Sequence, residues 1–241
     1  MKNQCAVQAF KYTLPVLFGY ITLGIAFGLV LTNAGYPWWL SPVMSIFMYA
    51  GAAQFIIIGL FSAGTPLSAI LVTQALVNIR HIVYGLSLIT KYKNTGKWKF
   101  YLIFALTDET YSLLTTVDVP QGLKPSSFYG AISVMNHCYW ITGSIVGALL
   151  GQVIPFSLTG VDFSLTALFA VLTVEQLLKT KDIIPVLTGT ICTVGAIVLW
   201  RMGVFASSSN ILLIALCAGI TGILIAKGKL IKTEDKNDRY F

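Results

Sequence analysis

The sequence predicts an all-α, polytopic membrane helical bundle of six to eight membrane segments, one or two of them discontinuous or re-entrant. Mean hydropathy is +0.79, and only 10% of the residues are charged, against about 25% in an average soluble domain. No Asp, Glu, Lys or Arg occurs between Tyr12 and Ile79, a span long enough to cross a bilayer core more than twice at about 20 residues per helix. The third observation is a mismatch: the basic residues flanking the apolar segments follow a pattern that uninterrupted crossings cannot satisfy.

Turn and charge signals cut the chain into eight apolar segments, about 14–34, 40–62, 66–90, 100–117, 128–151, 163–178, 183–200 and 210–226. The first is too long for a signal-peptide core and lacks a small-x-small cleavage pattern, so it is retained as a helix. Gly35-Tyr36-Pro37-Trp38-Trp39 reads as an interfacial turn, since aromatic rings settle at headgroup level and proline ends helices. Lys2 and Lys11 place the amino terminus inside, and Lys91, Lys93, Lys97 and Lys99 place that loop inside as well. Three full crossings cannot join two loops on one side. Segment 40–62 is therefore expected to be broken around Tyr49-Ala50-Gly51-Ala52-Ala53-Gln54, where small residues lower helix preference.

The same parity argument, applied between that loop and the Lys179–Lys181 turn, marks 100–117 as the second odd segment. It is short and carries Asp108 and Glu109. Gly24 and Gly28, and then Gly143, Gly147 and Gly151, form small-xxx-small ladders that let helix backbones approach closely. Gly51 and Gly85 are the candidate points of helix discontinuity. Residues 1–241 read as a single membrane domain, with the amino-terminal stretch 1–13 and the basic tail 227–241 both cytoplasmic.

The formal charge of +7 is spread along segment ends rather than gathered on one face, so no nucleic-acid surface is indicated. Cys5, Cys138, Cys192 and Cys217 are widely spaced and form no C-x-x-C pair, so neither a disulfide framework nor a metal site is indicated. Motifs for nucleotide binding, zinc peptidases and serine hydrolases are missing, which points away from an enzyme and from a cofactor.

The polar residues inside apolar segments carry the functional signal. A guanidinium at mid-bilayer costs roughly 2.5–3.5 kcal/mol on insertion scales, so Arg80 must face protein or water and find a partner. Asp108 and Glu109 on the next polar-bearing segment supply opposite charge, read first as a transport or proton pathway and otherwise as a structural ion pair. On a continuous helix Gln74, Asn78, His81 and Gly85 share a face, whereas Arg80 and Tyr84 point about 100° away from His81. Either that helix is buried on two sides or it unwinds near its middle. Asn78 alone could be a polar stitch. Asp108, Tyr111, Ser112 and Thr115 form a second stripe, with Glu109 offset by one residue. Two adjacent carboxylates at low dielectric repel, so one could hold a proton unless cations compensate. Asn136, His137, Tyr139 and Trp140 form a third group, in which His137 is either a hydrogen-bonded structural residue or a proton relay. Gln54 could bond a substrate or satisfy backbone freed at the break. Glu175 and Lys179 read as a helix-end pair.

Tyr49-Ala50-Gly51-Ala52-Ala53-Gln54-Phe55, Asn78-Ile79-Arg80-His81-Ile82-Val83-Tyr84-Gly85, Thr107-Asp108-Glu109-Thr110-Tyr111 and Asn136-His137-Cys138-Tyr139-Trp140 together resemble the AzlC family, the large subunit of branched-chain amino acid exporters. The resemblance runs in order over most of the chain. It implies a permease that expels valine, leucine, isoleucine, methionine or toxic analogues at the expense of the proton-motive force. It also implies a small hydrophobic AzlD-type partner subunit, and homo-oligomerisation is left open. On that basis the candidate substrate-binding residues are Gln54, Asn78, Arg80, Tyr84, Asp108, Tyr111 and Asn136, and the proton-coupling candidates are His81, Asp108, Glu109 and His137. The rival reading is a channel-like pore or a non-transporting scaffold in which the buried ions only lock helices together.

Overall fold

The computed structural model describes residues 2–93, 95–153, 181–204 and 214–223, with isolated helical positions at 170, 173–174, 177–178 and 211. All regular structure among them is helical: α1 (Lys2–Asn33), α2 (Leu40–Phe47), α3 (Gly51–Ser62), α4 (Leu67–Ser87), α5 (Trp98–Phe104), α6 (Asp108–Thr116), α7 (Pro125–Val153), α8 (Ile184–Arg201) and α9 (Ile214–Ile223). Among the described residues, three helices are long and apolar enough to cross a membrane, Gln4–Asn33, Leu67–Ser87 and Ile184–Arg201. Most of the expected segment 163–178, the Glu175–Lys179 pair and the tail 227–241 lie outside the described residues.

Both expected discontinuities are present. Segment 40–62 is two helices, α2 and α3, separated by Met48-Tyr49-Ala50, and Tyr49 takes a left-handed φ of 37°. For a residue with a Cβ that conformation costs roughly 1–3 kcal/mol. Segment 100–117 is likewise two helices, α5 and α6, separated by Ala105-Leu106-Thr107. Gly51 opens α3 directly after the first break. Gly85 marks no break: α4 runs uninterrupted from Leu67 to Ser87, which also removes the expectation that this helix unwinds around Asn78 to His81. A helix can carry these polar groups without unwinding when their partners are at hand: α6 supplies Asp108 to Arg80, and His81 bonds the Asn78 carbonyl of its own helix.

The ends of α1 and α3 are built alike. Gly35 (φ +86°) donates its N–H to the Thr32 carbonyl while Tyr36 donates to Leu31. Gly64 (φ +64°) and Thr65 repeat the pattern on Phe61 and Leu60. This is the reverse-turn cap that glycine enters without a Cβ clash, and it satisfies carbonyls the helix leaves orphaned. Helix α1 has 32 residues, about 48 Å at 1.5 Å per residue, so it extends beyond a 30 Å hydrocarbon core. Pro125 begins α7, where its missing N–H would be unpaired in any case.

The chain packs as two compact units, Met1–Gly59 with Val77–Ser164, and Leu60–Leu76 with Leu165–Phe241. In the first, α1 and α7 form the principal contact, and both glycine ladders lie in it. A Cβ built at Gly24 would stand 2.9 Å from the Ser144 nitrogen, and one at Gly143 2.7 Å from the Ile21 carbonyl oxygen. Gly28 faces the Ser144–Ala148 backbone and Gly147 the Ile25 backbone more closely still. Helices α2, α5 and α6 then pack on α7. An apolar cluster including Leu88, Tyr92, Leu102, Leu106, Leu114 and Phe128 pins the α5–α6 break to α7. In the second unit Thr188 of α8 lies against Gly222 of α9, where a Cβ would come 2.8 Å from the threonine methyl.

Candidate functional site

Each helix break creates backbone groups that need partners and places side chains where a straight helix would not. At the first break, Ser45 belongs to the last turn of α2. Its carbonyl would normally accept from Tyr49, but Tyr49 donates to Met44 instead, at 3.4 Å. His137 of α7 fills the gap, with Nε2 3.1 Å from the Ser45 oxygen. A carbonyl can only accept, so Nε2 carries the proton, and Nδ1 of the neutral ring accepts from the Tyr101 hydroxyl at 3.0 Å. The Tyr49 ring stacks on the imidazole with centroids 4.1 Å apart. Both nitrogens and one face of His137 are therefore engaged in holding α2, α5 and α7 together.

Gln54 stands in the same role. Its side chain is fully buried; Trp140 Nε1 donates to its Oε1 at 2.8 Å, and its Nε2 donates to Ser45 Oγ at 3.3 Å. Ser45 Oγ in turn donates to Ser144 Oγ at 2.8 Å, and Ser41 Oγ donates to the Ser144 carbonyl at 2.9 Å. Of the alternatives left open by the sequence, these contacts support the structural one for both His137 and Gln54. His137→Leu is expected to leave the Ser45 carbonyl and the Tyr101 hydroxyl unpaired, at about 1–3 kcal/mol per group. A lowered melting temperature of the purified protein checks this.

The second break positions the acids. Thr107 caps α6, its hydroxyl accepting from the Thr110 N–H at 3.3 Å, and Asp108 and Glu109 follow in the first turn, where the helix dipole favours negative charge. Successive residues on a helix diverge by about 100°, and the two carboxylates separate accordingly. Asp108 Oδ2 meets Arg80 Nη1 of α4 at 2.7 Å. Glu109 Oε2 accepts from the Tyr20 hydroxyl of α1 at 2.7 Å.

Around the ion pair, Tyr84 adjoins Asp108 and stacks nearly parallel on Tyr111, centroids 4.3 Å apart. Ser87 Oγ donates to the Tyr111 hydroxyl at 3.1 Å. His81 turns back along its own helix, Nδ1 donating to the Asn78 carbonyl at 3.2 Å. Arg80 and Asp108 keep 39% and 33% of their side-chain surface accessible in the isolated chain. Arg80 Nε and Asp108 Oδ1 are nevertheless individually shielded and bonded to no partner. The pair thus has one donor and one acceptor in reserve.

Around Glu109 the groups are of another kind. The Tyr20 hydroxyl also bonds Thr107 Oγ1, which lies within hydrogen-bond distance of Thr110 Oγ1 at 3.0 Å, and Asn136 Nδ2 donates to that same Thr110 oxygen at 3.0 Å. Tyr20, Thr107, Thr110 and Asn136 are all buried.

The structure therefore brings Arg80, Tyr84, Asp108 and Tyr111 together, gathers Glu109 and Asn136 in a second centre, and puts Gln54 and His137 in the α2–α7 seam. Sequence reasoning did not single out Tyr20, Thr107, Thr110, Ser45 or Tyr101 as site residues. The signal for Thr107 was available, as a threonine directly preceding two acids at a helix start. Tyr20, a lone phenol in an apolar run, carried none.

Tyr20 to Asn136 fall inside residues 15–154, which match the family model described as AzlC protein. "Branched-chain amino acid transport protein AzlC" of Bacillus subtilis (strain 168) is 37% identical over 194 residues, covering 80% of this chain and 76% of that protein. An "Uncharacterized membrane protein" of Helicobacter pylori (strain ATCC 700392 / 26695) is 42% identical over 176 residues, covering 73% and 77%. "Inner membrane protein YgaZ" of Escherichia coli (strain K12) is 31% identical over 178 residues, covering 68% and 69%. No solved structure matches the chain.

Proposed function

Because the chain belongs to the AzlC family, we propose that it is a secondary transporter that carries branched-chain amino acids out of the cell, driven by the proton-motive force. The observation that supports this best is the Arg80–Asp108 pair, set beside a helix break with Nε and Oδ1 uncommitted. An amino acid is a zwitterion. Its carboxylate matches the planar guanidinium, and its ammonium matches the spare carboxylate oxygen. Tyr84 and Tyr111, stacked alongside, offer an apolar wall for an aliphatic side chain. One methylene contributes only about 1–3 kcal/mol of discrimination, so valine, leucine, isoleucine and methionine are all accepted.

The reading includes a small hydrophobic AzlD-type partner in the same membrane. A half-accessible ion pair at membrane depth would be too costly facing lipid, so this surface is covered or water-filled in the working complex.

Counter-flow in proteoliposomes tests the proposal. Vesicles preloaded with unlabelled leucine and carrying the chain with its partner are expected to accumulate labelled valine, leucine and isoleucine, but not lysine or glutamate. An imposed pH gradient is expected to drive net movement. Equal passage of all amino acids, without counter-flow, would indicate a pore; no passage at all would indicate a scaffold.

A further inference from the structure

We propose that the two neighbouring carboxylates carry different cargoes: Asp108 serves the amino acid, and Glu109 is the group that takes up and releases the coupled proton. This rests on the transporter reading above and goes beyond it by assigning the proton to one residue among four candidates.

The assignment follows from who faces whom. A proton carrier in a coupled transporter must be able to exist uncharged inside the protein, and a cation paired with it works against that. Asp108 is clamped, with Arg80 at 2.7 Å. His137 has both nitrogens committed to the Ser45 carbonyl and the Tyr101 hydroxyl, bonds that tie α2, α5 and α7 together rather than lead to the acids. His81 turns Nδ1 back onto the Asn78 carbonyl of its own helix and is no part of the hydroxyl chain that reaches Glu109.

Glu109 is different. Its carboxylate projects away from Arg80 toward α1, where its direct partner is the neutral Tyr20 hydroxyl. The charged and titratable groups facing it are Tyr20 of α1, Tyr49 from the α2–α3 break, and Asp108 and Arg80, of which only Arg80 is cationic and that one is already paired.

A carrier also needs a route. From Glu109 a chain of hydroxyls runs through Tyr20 and Thr107 to Thr110 and ends on Asn136 of α7. Each hydroxyl in it can both donate and accept, which is what passing a proton between oxygens requires. The far end is unfinished: Asn136 is fully buried, and its Oδ1 has no partner. That unpaired oxygen within the protein favours an entering water or hydronium. A sodium ion fits less well, because the hydroxyls at the Glu109 end are already bonded to one another.

The test separates this assignment from the transporter reading. In proteoliposomes with the partner present, Glu109→Gln is expected to abolish pH-gradient-driven net flux, at least tenfold down, while leucine counter-flow persists. Asp108→Asn is expected to lose both. Infrared difference spectra of the wild type across a pH titration should contain a protonated-carboxyl band that Glu109→Gln removes and Asp108→Asn retains. The assignment is overturned if Glu109→Gln keeps driven flux, if it loses counter-flow as completely as Asp108→Asn, or if the band belongs to Asp108. A sodium gradient that drives wild-type flux through Glu109 would also overturn it. If the wild type shows counter-flow but no response to pH, the proton-driven reading itself fails, independently of which residue was named.

Discussion

Arg80→Ala is expected to lower amino-acid efflux by one to three orders of magnitude while leaving the protein assembled in the membrane. The two halves of that expectation have different origins. Removing one member of a charged pair that binds a ligand costs about 2–5 kcal/mol, because the other charge is left without its counterpart, and about 1.4 kcal/mol corresponds to tenfold. The fold loses much less. Arg80 and Asp108 are each more than 30% accessible in the isolated chain, and where water rather than lipid fills the space around them, as the transport reading requires, such a pair contributes about 0–1 kcal/mol to stability. Helix α4 is continuous on either side of the substitution and does not depend on the guanidinium for its geometry. Arg80→Lys should recover only part of the flux, since an ammonium cannot present the two-pronged donor set that matches a carboxylate. Efflux from loaded cells, set against the amount of folded protein recovered in detergent, reads both halves. Wild-type efflux from well-folded Arg80→Ala would remove Arg80 from the transport site, and wholesale loss of the protein would favour the scaffold reading.

The broken helices were legible because the Tyr49–Gln54 and Asp108–Glu109 neighbourhoods were the stretches least suited to straight apolar helix, and the expected placement of the basic loops on one side asked for an interruption in each segment. The glycine ladders were equally readable, since their spacing of four sets one face of each helix. The partition of the two carboxylates was not. A sequence shows Asp108 and Glu109 as adjacent and both acidic, but only the direction in which α6 leaves the second break sends one to Arg80 and the other to Tyr20. The same limit applies to His137 and Gln54. Their residue types suit a relay or a substrate site, and what assigns them to packing is the strained turn at Tyr49, which leaves the Ser45 carbonyl for His137 to satisfy. Gly85 misled for a related reason: glycine permits a break but does not require one, and α4 passes through it with only Ile103 within 4 Å of where a methyl group would sit.

Gly147→Leu is expected to prevent stable folding, with the largest effect on melting of any single substitution in the α1–α7 seam. At this point the backbones of α1 and α7 themselves touch. Even a single Cβ at Gly147 would overlap the backbone of Ile25, and the surrounding contacts at Gly28, Gly143 and Gly24 leave neither helix room to slide. Overpacking against flexible side chains typically costs about 1–3 kcal/mol. A rigid helix backbone cannot yield as a side chain does, so the cost here lies at or above the top of that range. Relief would require the two helices to part, and because α2, α5 and α6 all rest on α7, the Tyr20 link between α1 and Glu109 would be lost with the seam. Gly19→Ala is the matched control. It lies on the same helix as Ile25, nothing stands within 4 Å of its added Cβ, and alanine favours helix over glycine by about 0.8–1 kcal/mol. Thermal melts and size-exclusion profiles in detergent should therefore show Gly19→Ala at or above wild type and Gly147→Leu aggregated or melting far lower. Equal melting of the two variants would mean that α1 and α7 do not cross on their glycines, and the positions of Tyr20 and Glu109 derived from that crossing would fall with it.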